Sequence, residues 1–270
     1  MPEAPPVEFE TALRHAAARL GSFGRALHYF SEIGSTNDEA ARLAHGGAPQ
    51  GTTVVAAAQT AGRGRFGRSW FSPPGAGLYV SVVCRNRRAV PYLTLTGGVA
   101  VAEGITSATG LAVEIKWPND IMVSMVSGGP GRRRKLAGIL AEASSNAGGV
   151  QFVVLGFGIN LRPAAYPADI ADRATSLESE LGRPADAGDI LAATLVALRT
   201  RMAELDSRGP AGVLSRWRDL APSAQGHTVE WDGPTGVTSG RTAGLGDDGA
   251  LLVQTAGQVE RITSGTVRWL

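Results

Sequence analysis

The chain has 270 residues, of which 43% are apolar, enough for one large domain and one small domain with cores of their own. Its 26 Lys and Arg nearly balance its 24 Asp and Glu, so a net charge of +2 excludes a general attraction to nucleic acid or membranes. The single cysteine, Cys84, excludes an internal disulfide framework and a multi-cysteine zinc site, and it indicates a protein of the reducing cytoplasm.

The first two thirds of the chain predict helices that alternate with strands. The N-terminal residues lack the apolar core of a signal peptide, and we expect no membrane span because no apolar run is long enough. The predicted helices cover 9–20, 35–45 and 92–109, and the predicted strands cover 52–58, 78–84, 113–116, 121–125, 135–143 and 152–160. Because short connections join the later strands, they favour an antiparallel or mixed sheet over a doubly wound parallel one.

The last third changes from helices to short strands. Apolar spacing predicts helices over 187–206 and 213–220. From His227 the turns DGPTG, GDDG and TAGQ separate short alternating strands, a pattern typical of a small β-barrel. We therefore expect an α+β protein with a domain boundary near Pro222, which separates residues 1–222 from residues 223–270.

The segment from Gln59 to Trp70, QTAGRGRFGRSW, places three arginines and three glycines between two predicted strands. Glycines let the backbone approach a ligand closely, and guanidinium groups bind phosphate and carboxylate. The segment can therefore fold over an anion and keep water from a reactive intermediate. A solvated surface loop or an RNA-binding tract has the same composition, so this segment alone leaves those alternatives open.

Four further segments could carry chemistry. Lys116, in KWPND, could place positive charge against an acyl or phosphoryl oxygen, although a single lysine beside two turn-forming residues is more often a surface lysine. The predicted strands KLAGIL and GFGIN carry glycines, which indicate a bulge, a closely approaching group or helix packing. In GSTND the hydroxyls could contact a polar ligand or cap the following helix.

In this order, GSTN, QTAGRGRFGRSW, KWPND, KLAGIL and GFGIN closely resemble the catalytic domain of biotin-protein ligases, over residues 34–160. The resemblance implies a class II tRNA-synthetase-like domain with a mixed sheet, followed by an SH3-like β-barrel, in a short form without an N-terminal DNA-binding domain. It also implies that biotin and Mg-ATP form biotinyl-5'-AMP, and that the biotinyl group then passes to a lysine of the biotin carboxyl carrier protein of acetyl-CoA carboxylase. A homodimer is compatible with it, whereas neither nucleic acid nor a membrane is expected as a partner.

The resemblance also implies roles for individual residues. The implied biotin-binding residues are Ser35, Thr36, Asn37, Gln59, Arg63, Gly64, Arg65 and Lys116. The implied catalytic residues are Lys116, Arg65 and Arg63, and the implied ATP or adenylate residues are Arg68, Trp70, Asn119 and Asn160, with Trp70 shielding the adenine. Mg²⁺ is expected to arrive with ATP and not at a fixed protein site. Physical chemistry supports these roles, because two anions can meet only where cationic groups offset their repulsion.

Two features depart from the family pattern. The turn over 124–134 is long and ends in Arg132, Arg133 and Arg134, which we expect at a solvated hairpin tip. The basic residue that some relatives place at the C-terminus has only Arg261 and Arg268 as candidates. The group that deprotonates the incoming lysine stays open between a carboxylate such as Asp120, the charges beside a lysine, and solvent.

Two rival functions have distinct signatures. A lipoate-protein ligase would share the fold and the chemistry, but the complete GRGRFGRSW and KWPND pair favours biotin. The arginine-rich segment and the RRRK turn could instead belong to a nucleic-acid-binding module or a bifunctional repressor. The near-neutral net charge and the short N-terminal segment count against both.

Overall fold

The structure, a computed structural model, describes residues 1–124, 133–233 and 236–270. Its helices are α1 Val7–Leu20, α2 Thr36–His45, α3 Leu93–Thr109, α4 Leu177–Leu181, α5 Ala187–Arg208 and α6 Ala211–Leu220. Its strands are β1 Leu27–Phe30, β2 Thr53–Ala56, β3 Gly77–Cys84, β4 Glu114–Lys116, β5 Asp120–Ser124, β6 Arg133–Asn146, β7 Gly149–Asn160, β8 Gln225–Gly233, β9 Gly236–Leu245, β10 Leu251–Gln254, β11 Val259–Ile262 and β12 Val267–Trp269.

The larger sheet has the strand order β1-β2-β3-β7-β6-β5-β4. β1 runs parallel to β2, whereas the other neighbouring strands pair antiparallel. The long hairpin of β6 and β7 lies near the centre of the sheet, where most of β7 and the apolar residues near the middle of β6 are buried. The prediction of an α+β fold with a mixed sheet is therefore confirmed.

The two faces of this sheet carry different layers. α1, α3 and α5 pack together and cover one face with the larger apolar core, which includes Leu155 of β7. α2 covers part of the opposite face through a smaller cluster that includes Val154. Because side chains alternate along a strand, Val154, Gly156 and Gly158 all point to the α2 face. The part of this face beyond α2 becomes the floor of a cavity.

The second sheet is antiparallel throughout, in the order β11-β10-β9-β8-β12. It packs against the larger sheet and its helices. The indole N–H of Trp117 donates to the Gly249 carbonyl at 3.1 Å, and the Arg218 guanidinium donates to the Leu245 carbonyl at 2.9 Å. These contacts bring the end of the chain beside the end of β4. The division near Pro222 stays a prediction.

The sequence patterns do not predict β1 or α4, because each is too short to show a period, at 4 and 5 residues. The expected solvated tip is wrong for Arg133 and Arg134, which belong to β6 and form ion pairs with Glu114 and Glu180 at 3.3 and 2.8 Å. Arg132 and the preceding turn lie outside the described residues. Within the described ranges, no helix combines the length and the apolar character needed to cross a membrane.

Candidate active site

A cavity of about 1010 Å³ opens on the α2 face of the larger sheet and extends to the second sheet. All twelve residues to which the resemblance assigns a binding or catalytic role line this cavity: Ser35, Thr36, Asn37, Gln59, Arg63, Gly64, Arg65, Arg68, Trp70, Lys116, Asn119 and Asn160. These residues come from four separate segments of the chain, so the fold alone brings them to one place.

One end of the cavity is a buried polar cluster at the start of α2. The side-chain amide oxygen Oε1 of Gln59 accepts hydrogen bonds from the Thr36 backbone N–H at 2.9 Å and from the Thr36 hydroxyl at 3.1 Å. The Ser81 hydroxyl lies 2.8 Å from the Thr36 hydroxyl and 2.5 Å from the side-chain amide oxygen Oδ1 of Asn37. Ser35 occupies the N-cap position, but its side chain makes no capping bond. The Gln59 side chain therefore satisfies the first backbone N–H of α2, and the interpretation of the GSTND hydroxyls as side-chain caps is wrong for Ser35.

This polar cluster has fewer hydrogens than acceptors. The carbonyl oxygens of Gln59 and Asn37 can only accept, and the hydroxyls of Thr36 and Ser81 each carry one hydrogen. When Thr36 donates to Gln59 and Ser81 donates to Asn37, no hydrogen is left for the contact between the two hydroxyl oxygens. A ligand that brings N–H donors would satisfy the lone pairs that these side chains leave unmatched.

The cavity floor consists of glycines on β6 and β7. A Cβ atom on Gly156 would collide with the Asn37 side chain. On Gly158 it would lie 2.5 Å from the Trp70 indole nitrogen, and on Gly138 it would lie 2.9 Å from the Trp70 ring. Close approach therefore explains these glycines. The Trp70 Nε1 is buried there and has no hydrogen-bond partner among the described residues.

Residues 62–70 form a tight hairpin loop beside the cavity, which we call the arginine hairpin. The Gly64 backbone N–H donates to the Arg68 carbonyl at 2.7 Å. At the tip, Phe66 has φ of 58° and Gly67 has φ of 71°. A side-chain-bearing residue in this left-handed region costs about 1–2 kcal/mol, and such strain is typical of functional loops. The Phe66 ring is 61% exposed, so burial of its side chain does not offset that cost.

The chain contains 2 lysines and 24 arginines, and both lysines line the cavity. The Lys135 ammonium forms an ion pair with Asp120 at 2.6 Å and lies 5.1 Å from the centre of the Trp70 ring. The Lys116 ammonium lies 5.9 Å from the centre of the Trp269 ring. Burial lowers the pKa of Lys116, Asp120 opposes this, and Lys135 adds to the lowering. This concentration of positive charge would be relieved by an anionic ligand.

Two arginines of the hairpin have different surroundings. The Arg65 guanidinium donates to the side-chain amide oxygen of Asn119 at 3.4 Å, and burial lowers the pKa of Arg65. The Arg63 guanidinium donates to Asp38 at 2.6 Å and to Glu142 at 2.9 Å. Burial opposes the charge of Arg63, but these two carboxylates raise its pKa overall. Arg65 therefore offers its charge to the cavity, whereas the charge of Arg63 is already matched.

β12 and the turn before it complete the cavity wall. Thr266 accepts a hydrogen bond from Arg68 of the hairpin at 3.3 Å. Arg268 lines the cavity, but its guanidinium also pairs with two carboxylates of β8, at 3.3 and 3.6 Å. Arg261 forms an ion pair with Asp248 at 2.5 Å and is not among the lining residues. Of the two C-terminal candidates, only Arg268 reaches the cavity.

Reasoning from the sequence misses two residues that line the cavity, Lys135 and Trp269, and two that hold lining residues in place, Ser81 and Glu142. Serines, glutamates and a C-terminal tryptophan are common elsewhere, so nothing local marks them. Lys135 does have a signal, because lysine is rare in this chain and one of the two stands in a segment already singled out.

Comparisons with known proteins agree with this geometry. The model of the Biotin/lipoate A/B protein ligase family matches residues 29–160. The chain is 32% identical to the biotin–acetyl-CoA-carboxylase ligase of Mycobacterium tuberculosis, over 97% of this chain and 96% of that protein. It is 33% identical to the bifunctional ligase/repressor BirA of Bacillus subtilis, over 90% of this chain and 74% of that protein.

A solved structure, the biotin protein ligase from Aquifex aeolicus in complex with biotin and ATP, matches with a TM-score of 0.78 and 28% identity. The match covers 91% of this chain and 100% of that one, so it includes both sheets. Relatives that share a third of their residues over nearly the whole chain share its fold and family. The chain therefore belongs to the biotin-protein ligases, within the biotin/lipoate A/B protein ligase family.

Proposed function

We propose that this chain activates biotin with ATP to form biotinyl-5'-AMP and transfers the biotinyl group to a lysine of the biotin carboxyl carrier protein of acetyl-CoA carboxylase. One observation carries the proposal: a single cavity joins a polar cluster with fewer hydrogens than acceptors to a wall that holds both lysines of the chain. Biotin has a neutral ureido ring at one end and a carboxylate at the other, which matches this polarity.

The polar cluster fits the ureido ring. A ureido N–H group can donate to the hydroxyl oxygen of Thr36, which lines the cavity and whose contact with Ser81 lacks a hydrogen. The hydroxyl of Ser35, which is 3% exposed and makes no capping bond, can donate to the ureido oxygen. A buried site that satisfies every polar atom of a ligand rejects analogues that lack those atoms.

The cationic wall fits the first reaction step. A carboxylate oxygen of biotin attacks the α-phosphorus of ATP, and pyrophosphate leaves with the electron pair of the broken bond. Lys116, Lys135 and Arg65 can hold the carboxylate and the phosphate together, because positive charge is worth more in a half-buried site than in water. Trp70 offers its ring to the adenine, and Asn119 and Asn160 line the same region.

Mg²⁺ forms part of this proposal. Among the described residues, no group of three or more His, Cys, Asp or Glu side chains is placed to hold a metal ion by itself. Mg²⁺ commonly binds phosphate oxygens together with only one or two carboxylates, and Asp120 and Asp169 are carboxylates that line the cavity. Mg²⁺ can therefore enter with ATP, where its charge would offset that of the triphosphate.

The second step transfers the acyl group. The carrier lysine nitrogen attacks the acyl carbon of the adenylate, AMP leaves, and the nitrogen loses a proton to Asp120 or to solvent. The arginine hairpin stands beside the cavity and can exclude water from the mixed anhydride until the carrier arrives. We place the reaction in the cytoplasm, a proposal supported by the lone, buried and unpaired Cys84.

The experiment combines the protein with biotin, Mg-ATP and an isolated biotin carboxyl carrier domain, and then weighs the carrier by mass spectrometry. We expect the mass of one biotinyl group on one lysine of the carrier. A carrier with its acceptor lysine changed to arginine should stay unmodified. Pyrophosphate exchange that depends on lipoate and not on biotin would overturn the proposal in favour of a lipoate-protein ligase.

A further inference from the structure

Glu142 of β6 stands where three separate parts of the chain meet. One of its carboxylate oxygens accepts a hydrogen bond from the Asn37 amide of α2 at 2.5 Å. The same oxygen accepts a second hydrogen bond from the Arg63 guanidinium of the arginine hairpin at 2.9 Å. The other end of that guanidinium donates to Asp38, also on α2, at 2.6 Å. The hairpin is thus tied to the sheet and to the helix at one point.

The α2 side of this junction is fixed. The Asn37 carbonyl oxygen accepts from Ser81 of β3, and its side chain fills the space above Gly156 where any Cβ atom would collide with it. Both ends of the Asn37 amide are therefore engaged by the protein, one by Ser81 and the other by Glu142. A rigid amide can hold the Glu142 carboxylate in one orientation, toward the hairpin.

The hairpin side of the junction is held by ion pairs between exposed side chains. The side chains of Arg63, Glu142 and Asp38 are 38%, 40% and 63% exposed. Exposed ion pairs contribute little singly, about 0–1 kcal/mol each, and salt screens them. Other hairpin arginines make longer contacts, 3.4 Å from Arg65 and 3.3 Å from Arg68. The Arg63 pairs are the short charged bonds that join the hairpin to the sheet and to α2 in the described structure.

We propose that Glu142, with Asp38, is a positioning residue that latches the arginine hairpin over the adenylate by holding Arg63. Arg63 acts in this latch and does not itself neutralise a substrate anion, since its charge is already matched by two carboxylates. The latch holds biotinyl-5'-AMP between the two reaction steps and opens when the carrier arrives. This inference rests on the proposed function and deepens it.

The substitution Glu142→Gln removes the charge that pairs with Arg63 and keeps the hydrogen bond with Asn37. The glutamine carbonyl oxygen can still accept from the Asn37 amide, so the fixed side keeps its bond. Because the same oxygen accepts from Asn37 and from Arg63, the contact with the guanidinium remains as a hydrogen bond, but the negative charge opposite Arg63 is lost. We expect release of biotinyl-5'-AMP to become about fivefold faster, as for the loss of an ion pair of this exposure. The maximal rate of pyrophosphate exchange should change by less than about twofold, because the groups that contact the phosphates are untouched.

Trypsin gives a readout of the latch that does not depend on catalytic rate. The hairpin contains three arginines, so the rate of cleavage within it reports how long it stays open. With biotinyl-5'-AMP bound, Glu142→Gln should be cut faster than the unsubstituted chain. The matched control is Glu39→Gln. It breaks the Glu39–Arg42 ion pair of 2.7 Å on α2, the helix that carries Asn37 and Asp38, and it should change neither adenylate release nor cleavage.

Coupling to Arg63 completes the test. If Glu142 acts through Arg63, the double variant with Arg63→Met should release the adenylate no faster than Arg63→Met alone. Additive effects, or release from Glu142→Gln at the rate of the unsubstituted chain, would overturn the latch. If the unsubstituted chain forms no adenylate at all, the proposed function fails instead, so the two failures are distinguishable.

Discussion

Lys116 carries its charge in a half-buried position beside Trp269, and burial disfavours that charge. We expect Lys116→Ala to slow biotin-dependent pyrophosphate exchange by about 100-fold, the usual effect of removing one donor that stabilises a developing anion. The melting temperature should not fall, because the substitution removes a charge that folding desolvates. Arg14→Ala, at an exposed position of α1, is the control for loss of a basic residue. Exchange at an unchanged rate in Lys116→Ala would remove this lysine from the mechanism.

The same residue predicts a pH dependence. Burial, and then the neighbouring Lys135, lower the pKa of Lys116, so its ammonium loses its proton at a lower pH than an ordinary lysine. The value of kcat/KM for exchange should therefore decline as the pH rises through this lowered pKa. In Lys116→Arg the guanidinium keeps its proton, and the decline should move to higher pH. Identical alkaline limbs in both proteins would show that another group titrates there.

At the scale of elements, Trp70 joins the arginine hairpin to the cavity floor, because its ring packs on the glycines of β6 and β7. A methyl group at Gly158 would lie 2.5 Å from the indole nitrogen, so Gly158→Ala should displace the ring from its seat. We expect the KM for ATP to rise by about tenfold, from the loss of an aromatic contact of roughly 1–1.5 kcal/mol, with less effect on the KM for biotin. Gly257→Ala, where the added methyl meets nothing within 4 Å, is the matched control. Equal effects on both substrates would contradict the position of Trp70.

The elements themselves are largely predictable from the sequence. The helical spacing of apolar residues and the glycines that follow it predict the bounds of α1, α2 and α5 within a few residues. This works because local spacing reports which side of a helix is buried. β1 is missed because 4 residues show no period, and its parallel pairing with β2 depends on a segment more than twenty positions away. The turn at 124–134 shows the same limit, since charge pattern alone places Arg133 and Arg134 in solvent, and their carboxylate partners become visible only in the fold.

At the scale of the whole molecule, the scarcity of lysine has a chemical consequence. An acyl-adenylate that leaves its site reacts with amines, yet both lysines of this chain line the cavity, where the Lys135 ammonium is paired with Asp120. We expect no biotinyl group on either lysine after incubation with biotin and Mg-ATP in the absence of a carrier, as read by peptide mass spectrometry. Arg14→Lys adds an exposed amine and should gain the label. Labelling of Lys116 or Lys135 in the unsubstituted chain would contradict this prediction.

The order of motifs was enough to identify the family and to name twelve residues that line one cavity, because each motif is a short run whose chemistry is written in neighbouring positions. The sequence could not assign partners within that cavity. Asn37 and Glu142 are 105 positions apart, and Trp269 meets Lys116 only because the second sheet packs beside β4. Tertiary contacts determined three further features of the site. Gln59 takes the place of a side-chain cap, Lys135 joins the cationic wall, and Arg63 lies between two carboxylates. Hydrogen bonds and charges act over a few ångströms of space, whatever their separation along the chain.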